Sequence, residues 1–336
     1  MRLHAKSTEQ NRIEAPLRNS PLISVVIPTR NEADIRHCLE AALSQTYPRK
    51  EIIVVDDSTD DTPMVVLEYA DRGVRLIHRE RNDNGCCGAR NRGVLETSGE
   101  IVLILNGDVC PMPDFLDRLL EHYRFGADYV LTHPVVLNQE SVFGRYWDIE
   151  YRVWDGNDAK EWTEGFSARR EAWLAVGGIP GDFPLPFCRD FRVGFALREH
   201  GYKKVVDETL VVPHIAPSRL GEFCRLRQTR GRFAALDNHY IEGMSLGYVF
   251  LRIIAKTMWY SARVLLIIPI LLEGRRLAHF SARGSRDILP LAGLVILDWF
   301  YRIIGEFNGW LALVRLKNGG QPQVLPPGTH LEQSKQ

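Results

Sequence analysis

The amino-acid sequence predicts an α/β fold, with a mainly parallel sheet flanked by helices and a C-terminal region of further helices. Three observations predict it. Short apolar runs alternate with helically spaced apolar residues between positions 22 and 108. Polar residues follow those runs where each predicted strand ends. Beyond position 246 the composition changes to longer apolar runs flanked by basic and aromatic residues.

Strands and helices alternate in order along the first third of the chain. The predicted elements are the strand LISVVIP, a helix over 33–43, the strand EIIVVDD, a helix over 62–70, the strand VRLIH, a helix near 89–96 and the strand EIVLILNGD. This alternation indicates right-handed crossovers within one sheet. Because ligands bind at the carboxyl ends of strands in such sheets, we expect Thr29, Asp56, Asp57 and Asp108 to border one nucleotide site.

The composition excludes some classes of function. The chain has 336 residues, with 42 basic and 42 acidic side chains, so we expect no nucleic acid partner. The first twenty residues lack the apolar segment of a secretory signal, which predicts a polar extension and a cytosolic protein. The six cysteines form no CxxC pair, and we expect neither a zinc site nor disulfide bridges.

The region over 241–316 raises the question of membrane contact. Its runs VLLIIPILL and ILPLAGLVIL are each shorter than the roughly 18 apolar residues of a confident span. If both crossed as a hairpin, the arginine-rich connection EGRRLAHFSARGSRD would lie outside, against the positive-inside tendency. We therefore expect amphipathic or re-entrant helices on the cytoplasmic face of a membrane. A helical cap packed on the preceding domain is the alternative.

An ordered set of motifs resembles family-2 glycosyltransferases of the glycosyltransferase A fold. The set comprises PTRNEADIRHCLEAALSQTYP, VVDDSTDDT, GARNRG, LILNGD, GFSARREAWLAVGG and RDF, and it covers about residues 21–235. The resemblance implies inverting transfer of a sugar from a nucleotide diphosphate sugar donor. It also implies a catalytic domain over 21–240, between the extension 1–20 and the region 241–316, with a flexible tail over 317–336.

The resemblance also implies which residues meet the donor. They are Pro28, Thr29, Asn31 and Glu32 after the first strand, Asp56 and Asp57 after the second, Arg90 and Asn91 in GARNRG, Asn106 and Gly107 in LILNGD, and Arg232 in RLRQTRGRF. Carboxylates accept hydrogen bonds from a base or ribose, and arginine binds phosphate oxygens. RLRQTRGRF lacks the Gln-x-x-Arg-Trp pattern of processive synthases, so we expect addition of a single sugar.

The donor diphosphate calls for a divalent cation, Mn²⁺ or Mg²⁺, held by hard ligands. By resemblance these ligands are Asp108 and His214. The family has an Asp-any-Asp motif where this sequence has Asn106-Gly107-Asp108, so an amide replaces the first carboxylate. A helix cap is the structural alternative for Asp108, and an ordinary loop residue is the alternative for His214.

Inversion needs one base to take the proton of the acceptor hydroxyl. Asp190 resembles the catalytic aspartate of the family's Glu-Asp motif, although Arg189 stands in the place of the acidic partner. Asp182 is the reserve candidate for this base. On the acceptor side the resemblance implies Gly165, Phe166 and Ser167.

We expect the acceptor to be a sugar or a lipid-linked molecule, the latter if the C-terminal helices contact a membrane. Two other functions remain open from the sequence. One is a nucleotidyltransferase, although PTRNEAD lacks a Gly-rich basic signature. The other is a catalytically degenerate nucleotide-sugar-binding protein, which the substitutions at Asn106 and Arg189 favour.

Overall fold

The computed structural model describes residues 17–32, 35–79, 85–154, 161, 164–181, 183–185 and 187–319. The chain divides into two compact units. The first consists of residues 1–135, 158–182 and 188–214, and the second of residues 136–157, 183–187 and 215–336. Most of the predicted N-terminal extension and of the predicted tail lies outside the described residues.

A mixed sheet organises the first unit. Its strands are β1 (Ile23–Thr29), β2 (Lys50–Asp56), β3 (Val74–His78), β4 (Ile101–Ile104), β5 (Tyr129–Val136), β6 (Ser167–Arg169) and β7 (Lys204–His214). Across the sheet they lie in the order β3-β2-β1-β4-β6-β5-β7. The first four pair in parallel, while β6 is antiparallel to β4 and β5. The predicted α/β fold is confirmed, and the predicted strand order along the chain is correct.

Helices cover both faces of this sheet. They are α1 (Ile35–Leu43), α2 (Thr62–Leu67), α3 (Gly85–Glu96), α4 (Phe115–Arg124), α6 (Arg170–Ala175) and α7 (Arg192–Glu199), with a short 3-10 turn at Ala70–Arg72. Alternate residues of β1 point to opposite cores, because side chains alternate along a strand. Val25 packs with α1 and α4, and Val26 packs with α3. Gly93 allows α3 to approach β1 closely, since a Cβ there would lie 2.2 Å from a Val26 methyl group.

The second unit is helical. Its helices are α5 (Val142–Trp154), α8 (Leu220–Tyr240), α9 (Leu246–Leu265), α10 (Ile268–Ala278) and α11 (Ile288–Lys317), with a 3-10 turn at Gly284–Asp287. Helices α8 and α11 meet backbone to backbone: a Cβ at Gly231 would lie 2.0 Å from the Arg302 carbonyl oxygen, and one at Gly305 would lie 1.9 Å from that of Gln228. Glycine is therefore required at this crossing.

The helices α9 to α11 carry the apolar runs of the C-terminal region. The segment Gly284–Lys317 is long and apolar enough to cross a membrane, by length and composition. The apolar run ILPLAGLVIL is shorter than this segment because α11 continues without a break into the residues that follow the run. A third of its most apolar stretch is buried within the protein. Helices α9 and α10 are joined at a bend of 88°.

One disulfide corrects the expectation that the cysteines form no bridges. Cys87 on α3 is bonded to Cys188, and their Cα atoms lie 5.6 Å apart. The two residues are 101 positions apart in the sequence, so their pairing depends on the tertiary contact of α3 with the segment before α7. Local cysteine spacing could not reveal that contact.

Candidate active site

Asp56 holds the carboxyl ends of three strands together. Its side chain is fully buried, and its oxygens accept hydrogen bonds from the Thr29 hydroxyl at 2.8 Å and the Ser58 backbone N–H at 3.2 Å. The Nδ1 atom of His78, at the end of β3, lies 2.8 Å from the second carboxylate oxygen. Asp56 therefore organises the loops around the site, and this corrects the expectation that its carboxylate faces the donor directly.

Asp57 is paired with an arginine that the sequence analysis missed. The Arg79 Nε–H and Nη2–H donate to the two carboxylate oxygens of Asp57 at 2.8 and 2.6 Å, and both side chains are buried. Arg79 also donates to the backbone oxygen of Gly85 at 2.9 Å. Burial raises the pKa of Asp57, and the hydrogen bonds from Arg79 oppose that shift. This pair ties β2 to the start of α3.

The first loop is joined to the second by Asn31. Its φ angle is 53°, a left-handed conformation that asparagine tolerates better than most residues. The Asn31 backbone N–H donates to Ser58 Oγ at 2.7 Å, and its side-chain oxygen accepts from the Thr59 N–H at 2.8 Å. Pro28, three residues earlier, is partly buried within β1.

Gly107 brings the LILNGD segment against the first loop. A Cβ at this position would lie 3.4 Å from side-chain carbons of both Thr29 and Glu32. Residues predicted from two separate motifs are therefore neighbours. The ends of β1 and β4 form one continuous edge beside Asp108.

Arg90 connects three of the motifs. Its guanidinium donates to Asn106 Oδ1 at 3.0 Å and to the Cys86 backbone oxygen at 3.3 Å, and its Nη2 lies 3.6 Å from an Asp190 carboxylate oxygen. Burial is the largest single influence and lowers the pKa of Arg90, but the Asp190 carboxylate and Cys86 together outweigh it, so the pKa lies above its ordinary value. Glu164 contributes to the same shift, and the sequence analysis missed it.

Asn91 is the neighbour of Arg90 but faces another loop. Its side-chain amide donates to the Ile179 carbonyl at 2.7 Å, and its side-chain oxygen accepts from the Ile179 N–H at 2.9 Å. Both functional groups therefore bind the backbone that follows Gly178. Asn91 therefore anchors the loop that leads toward Asp190. This differs from the predicted contact of Asn91 with the donor.

Asp108 and His214 come from distant parts of the sequence and meet at the sheet edge. His214 Nδ1, at the end of β7, lies 3.4 Å from Asp108 Oδ2. The imidazole is almost fully buried, while about a third of the Asp108 side chain is exposed. This spacing is compatible with two ligands of one divalent ion, and the exposure of Asp108 leaves room for further oxygen ligands.

Asp190 begins the turn into α7. One of its carboxylate oxygens accepts the Phe191 N–H at 3.0 Å, and 30% of its side chain is exposed. The guanidinium of Arg189 lies over the Phe191 ring, 5.0 Å from its centroid. The reserve candidate Asp182 lies outside the described residues.

The acceptor-side prediction needs correction for two of its three residues. Phe166 and Ser167 are 1% and 0% exposed. Phe166 packs against Tyr129 and Trp173, and Ser167 accepts a hydrogen bond from the Tyr123 hydroxyl at 2.7 Å. These two residues belong to the core of the sheet because β6 is an interior strand.

Gly165 immediately precedes that buried strand segment. It adopts a φ of 66°, and a Cβ there would lie 2.5 Å from the Thr132 hydroxyl and 2.6 Å from a Val212 methyl group. Its role is to let the chain turn close to β5 and β7. Residues with a side chain larger than hydrogen cannot occupy this position without a shift of the backbone.

Arg232 lies on α8, in the second unit. Its Nε and Nη2 atoms are buried and donate to no acceptor within the part of the chain that the structure describes. Burial lowers the pKa of this guanidinium. The contact of Arg232 with the donor phosphate stays a prediction.

Comparison with known proteins supports the interpretation of the first unit. Residues 24–174 match the model of the family described as Glycosyl transferase family 2. Glycosyltransferase AglE of Haloferax volcanii is 40% identical over 103 residues, which are 29% of this chain and 34% of that protein. Succinoglycan biosynthesis protein ExoO of Rhizobium meliloti is also 40% identical over 103 residues, or 30% of this chain and 29% of that protein. The chain thus spans about a third of the length of these relatives.

Solved structures agree with the fold. Mannosyltransferase PcManGT from Pyrobaculum calidifontis, in complex with GDP-Man and Mn²⁺, matches with a TM-score of 0.61 and 20% identity over 90% of each chain. S. aureus TarS 1-349, in complex with UDP-GlcNAc, matches with a TM-score of 0.50 and 16% identity over 89% of this chain and 92% of that one. At these identities the likeness establishes the fold.

Proposed function

We propose, since residues 24–174 match the model of glycosyl transferase family 2, that the chain moves one sugar from a nucleotide diphosphate sugar to an acceptor hydroxyl with inversion at the anomeric carbon. The observation that carries the proposal is the position of Arg90. It joins Asn106 of the LILNGD segment to Asp190, and Asp108 of the same segment lies 3.4 Å from His214. A candidate phosphate-binding arginine, a candidate base and a pair of candidate metal ligands thus lie at one edge of the sheet.

The donor diphosphate is bound, in this proposal, by Arg90. Its Nε–H is buried and donates to no acceptor within the described ranges, so one donor of the guanidinium is unused. Arginine binds phosphate oxygens through charge-assisted hydrogen bonds. The base and ribose would meet the first loop, which Asn31 and Glu32 line, because that loop borders Gly107.

Asp108 and His214 would hold a divalent cation, Mn²⁺ or Mg²⁺. A carboxylate oxygen and an imidazole nitrogen suit such an ion, and their spacing of 3.4 Å supports a shared site. When bound, the cation supplies positive charge to the departing nucleoside diphosphate. The solved neighbour PcManGT contains GDP-Man and Mn²⁺, which makes this donor and this metal the first to test.

Asp190 would take the proton of the acceptor hydroxyl. Its carboxylate is partly exposed, so an acceptor can reach it, and Arg90 holds one oxygen at 3.6 Å. The other carboxylate oxygen of Asp190 accepts a hydrogen bond of 3.0 Å from the Phe191 N–H, which fixes the orientation of the carboxylate. A base held in this way can remove a proton while the acceptor oxygen attacks opposite the leaving nucleotide.

The test is binding and turnover of GDP-mannose, UDP-N-acetylglucosamine and related donors with and without Mn²⁺. Asp108→Ala should weaken metal-dependent donor binding by at least tenfold. Asp190→Ala should keep donor binding and lose turnover by at least a hundredfold. Asp71→Ala is the matched control, because Asp71 is exposed on the Ala70–Arg72 turn. If no donor binds even with metal, the chain is a degenerate family member.

We also propose that the protein works on the cytoplasmic face of a membrane. The outward side of α9 is uncharged and includes Leu251, Met258 and Leu265, which are 63%, 69% and 82% exposed. At the bend between α9 and α10, the four consecutive residues 265–268 are Leu-Leu-Ile-Ile, and each is more than 60% exposed. Apolar surface of this extent on a bent helix pair is typical of contact with lipid.

The ion pairs of helix α11 favour binding at the membrane surface over a transmembrane span. Its charged residues form ion pairs within the second unit: Glu306 with Lys256 of α9 at 2.7 Å, and Asp298 with Arg227 of α8 at 3.3 Å. A helix that is ion-paired to both α8 and α9 behaves as the core of the unit. We therefore propose that the α9–α10 bend lies in the lipid interface, with a lipid-linked acceptor. If the full chain failed to float with anionic vesicles, this localisation would be wrong.

A further inference from the structure

Three cysteines lie together beside the candidate base. The disulfide joins Cys87 to Cys188, and the sulfur of Cys86 lies within 4.8 Å of both. Cys87 is three positions before Arg90 on α3, and Cys188 is two positions before Asp190. The bridge therefore links the two segments that carry the Arg90–Asp190 ion pair.

We infer that Cys87 and Cys188 form a reversible dithiol–disulfide site whose oxidised form positions Asp190 against Arg90. The Asp190 carboxylate lies 3.6 Å from the Arg90 guanidinium, which is longer than a hydrogen bond. The ion pair is thus a looser restraint on the turn before α7 than a covalent bond. A covalent bond two residues away restricts the same turn much more strongly. Cys87 and Cys188 are positioning residues in this arrangement.

The redox step is a thiol–disulfide exchange with a small dithiol. One thiolate of the reductant attacks the Cys188 sulfur, and the Cys87 sulfur leaves with the bonding electron pair and takes up a proton. The second thiol of the reductant then displaces Cys188, which takes up the second proton, so the reductant is oxidised to its own disulfide. A small disulfide such as oxidised glutathione reverses the reaction and leaves as two thiols.

The surroundings of the bridge are suited to this exchange. Cys87 is fully buried, whereas Cys188 is only partly buried, so attack on the Cys188 sulfur is the accessible route. Cys86 is the nearby thiol that could compete. Burial raises the pKa of Cys86, which keeps it protonated and a poor nucleophile.

The first measurement is the thiol count of the full chain after alkylation in denaturant. Of the six cysteines, four should react after treatment with oxidised glutathione and six after dithiothreitol. Peptide mapping should assign the difference to Cys87 and Cys188. If all six react in both conditions, or if stoichiometric zinc protects the three clustered thiols until a chelator is added, the inference is wrong. This measurement does not depend on the proposed function.

The second measurement is the consequence of opening the bridge. Reduction, Cys87→Ser or Cys188→Ser should lower Tm by at least 5 °C, because the bridge closes a loop of about 100 residues. Each should lower kcat about tenfold and leave the KM of the donor within twofold, and reoxidation should restore the wild type alone.

Cys86→Ser is the matched control, since it removes the neighbouring thiol and keeps the bridge. It should retain both the higher Tm and the response to dithiothreitol. The kcat arm rests on the proposed function, whereas the Tm and alkylation arms do not. If the disulfide forms and stabilises the protein but its reduction leaves kcat unchanged, the positioning role of Cys87 and Cys188 would be refuted. Absence of any turnover in the oxidised protein would instead refute the proposed function.

Discussion

Replacement of Arg90 by methionine is the most informative single change at the site. Methionine has a similar length and no charge, so the side chain can stay buried while its three polar contacts disappear. These are the hydrogen bonds to Asn106 Oδ1 and to the Cys86 carbonyl, and the ion pair with Asp190. Arg92→Met is the matched control, because Arg92 lies on the same helix, is exposed and pairs only with Glu96 among the contacts described.

The expected size of the effect follows from these distances. Each hydrogen bond from a charged donor contributes about 1.5–3 kcal/mol, and removal of a buried cation offsets much of the loss. Arg90→Met should therefore reduce the free energy of unfolding by about 2 kcal/mol. Two unit charges at 3.6 Å attract by about 4–5 kcal/mol at an effective dielectric constant of about 20. Exposure of Asp190 weakens that attraction, so a loss of about 2–3 kcal/mol in catalysis, roughly a hundredfold in kcat, is expected.

The assay combines urea unfolding with steady-state kinetics on the donor identified in the panel. Arg92→Met should remain within about 0.5 kcal/mol of the wild type in stability and within twofold in kcat, as exposed i,i+4 pairs contribute little. Arg90→Lys should recover part of the stability but little of the turnover, because an ammonium group cannot reach three acceptors at once. Equal stability and turnover in Arg90→Met and Arg92→Met would refute the arrangement described here.

Further predictions concern the helices and the first loop. Gly305→Ala should destabilise the protein by about 1–3 kcal/mol, because its Cβ would overlap the α8 backbone, whereas Gly293→Ala on the same helix meets nothing and should stabilise by about 0.5–1 kcal/mol in urea unfolding. Leu266→Asp should abolish flotation with anionic vesicles, and Leu220→Asp, equally a change of an exposed leucine, should not. Asn31→Gly should be about 1 kcal/mol more stable than Asn31→Ala, since both lose the side-chain hydrogen bond but only alanine is strained at a φ of 53°. Equal stability of that last pair would contradict the left-handed conformation.

Periodicity and strand-end polarity were enough to predict the α/β fold and to place the candidate residues at one edge of the sheet. They place Asp108 after β4, and the motif order pairs it with His214, which the structure brings to 3.4 Å. The same signals could not tell which carboxylates face a ligand. Asp56 ends β2 and Asp57 follows it, yet their carboxylates are paired with His78 of β3 and with Arg79, the residue after β3. Such pairing depends on the register of neighbouring strands.

The sequence also could not show which polar residues of a motif are buried. Ser167 is polar and lies in a motif that borders acceptors in the family, but β6 runs through the middle of the sheet and turns its hydroxyl toward Tyr123. A three-residue strand has no periodicity that would reveal this. The Cys87–Cys188 disulfide was not predicted for a related reason, since it joins residues 101 positions apart that only the packed fold brings together.

The two departures from the family motif are explained by one arrangement of charges. An aspartate at position 106 would hold the Arg90 guanidinium as a full ion pair, whereas the amide of Asn106 accepts one hydrogen bond at 3.0 Å and does not neutralise the positive charge. That charge is then shared with Asp190 at 3.6 Å. An acidic residue at position 189 would add a second negative charge to the same turn, while Arg189 instead lies over the Phe191 ring. In the proposed function, the loss of one carboxylate at 106 and of another at 189 keeps Arg90 available to both the donor diphosphate and Asp190, so the two substitutions do not argue against transferase activity.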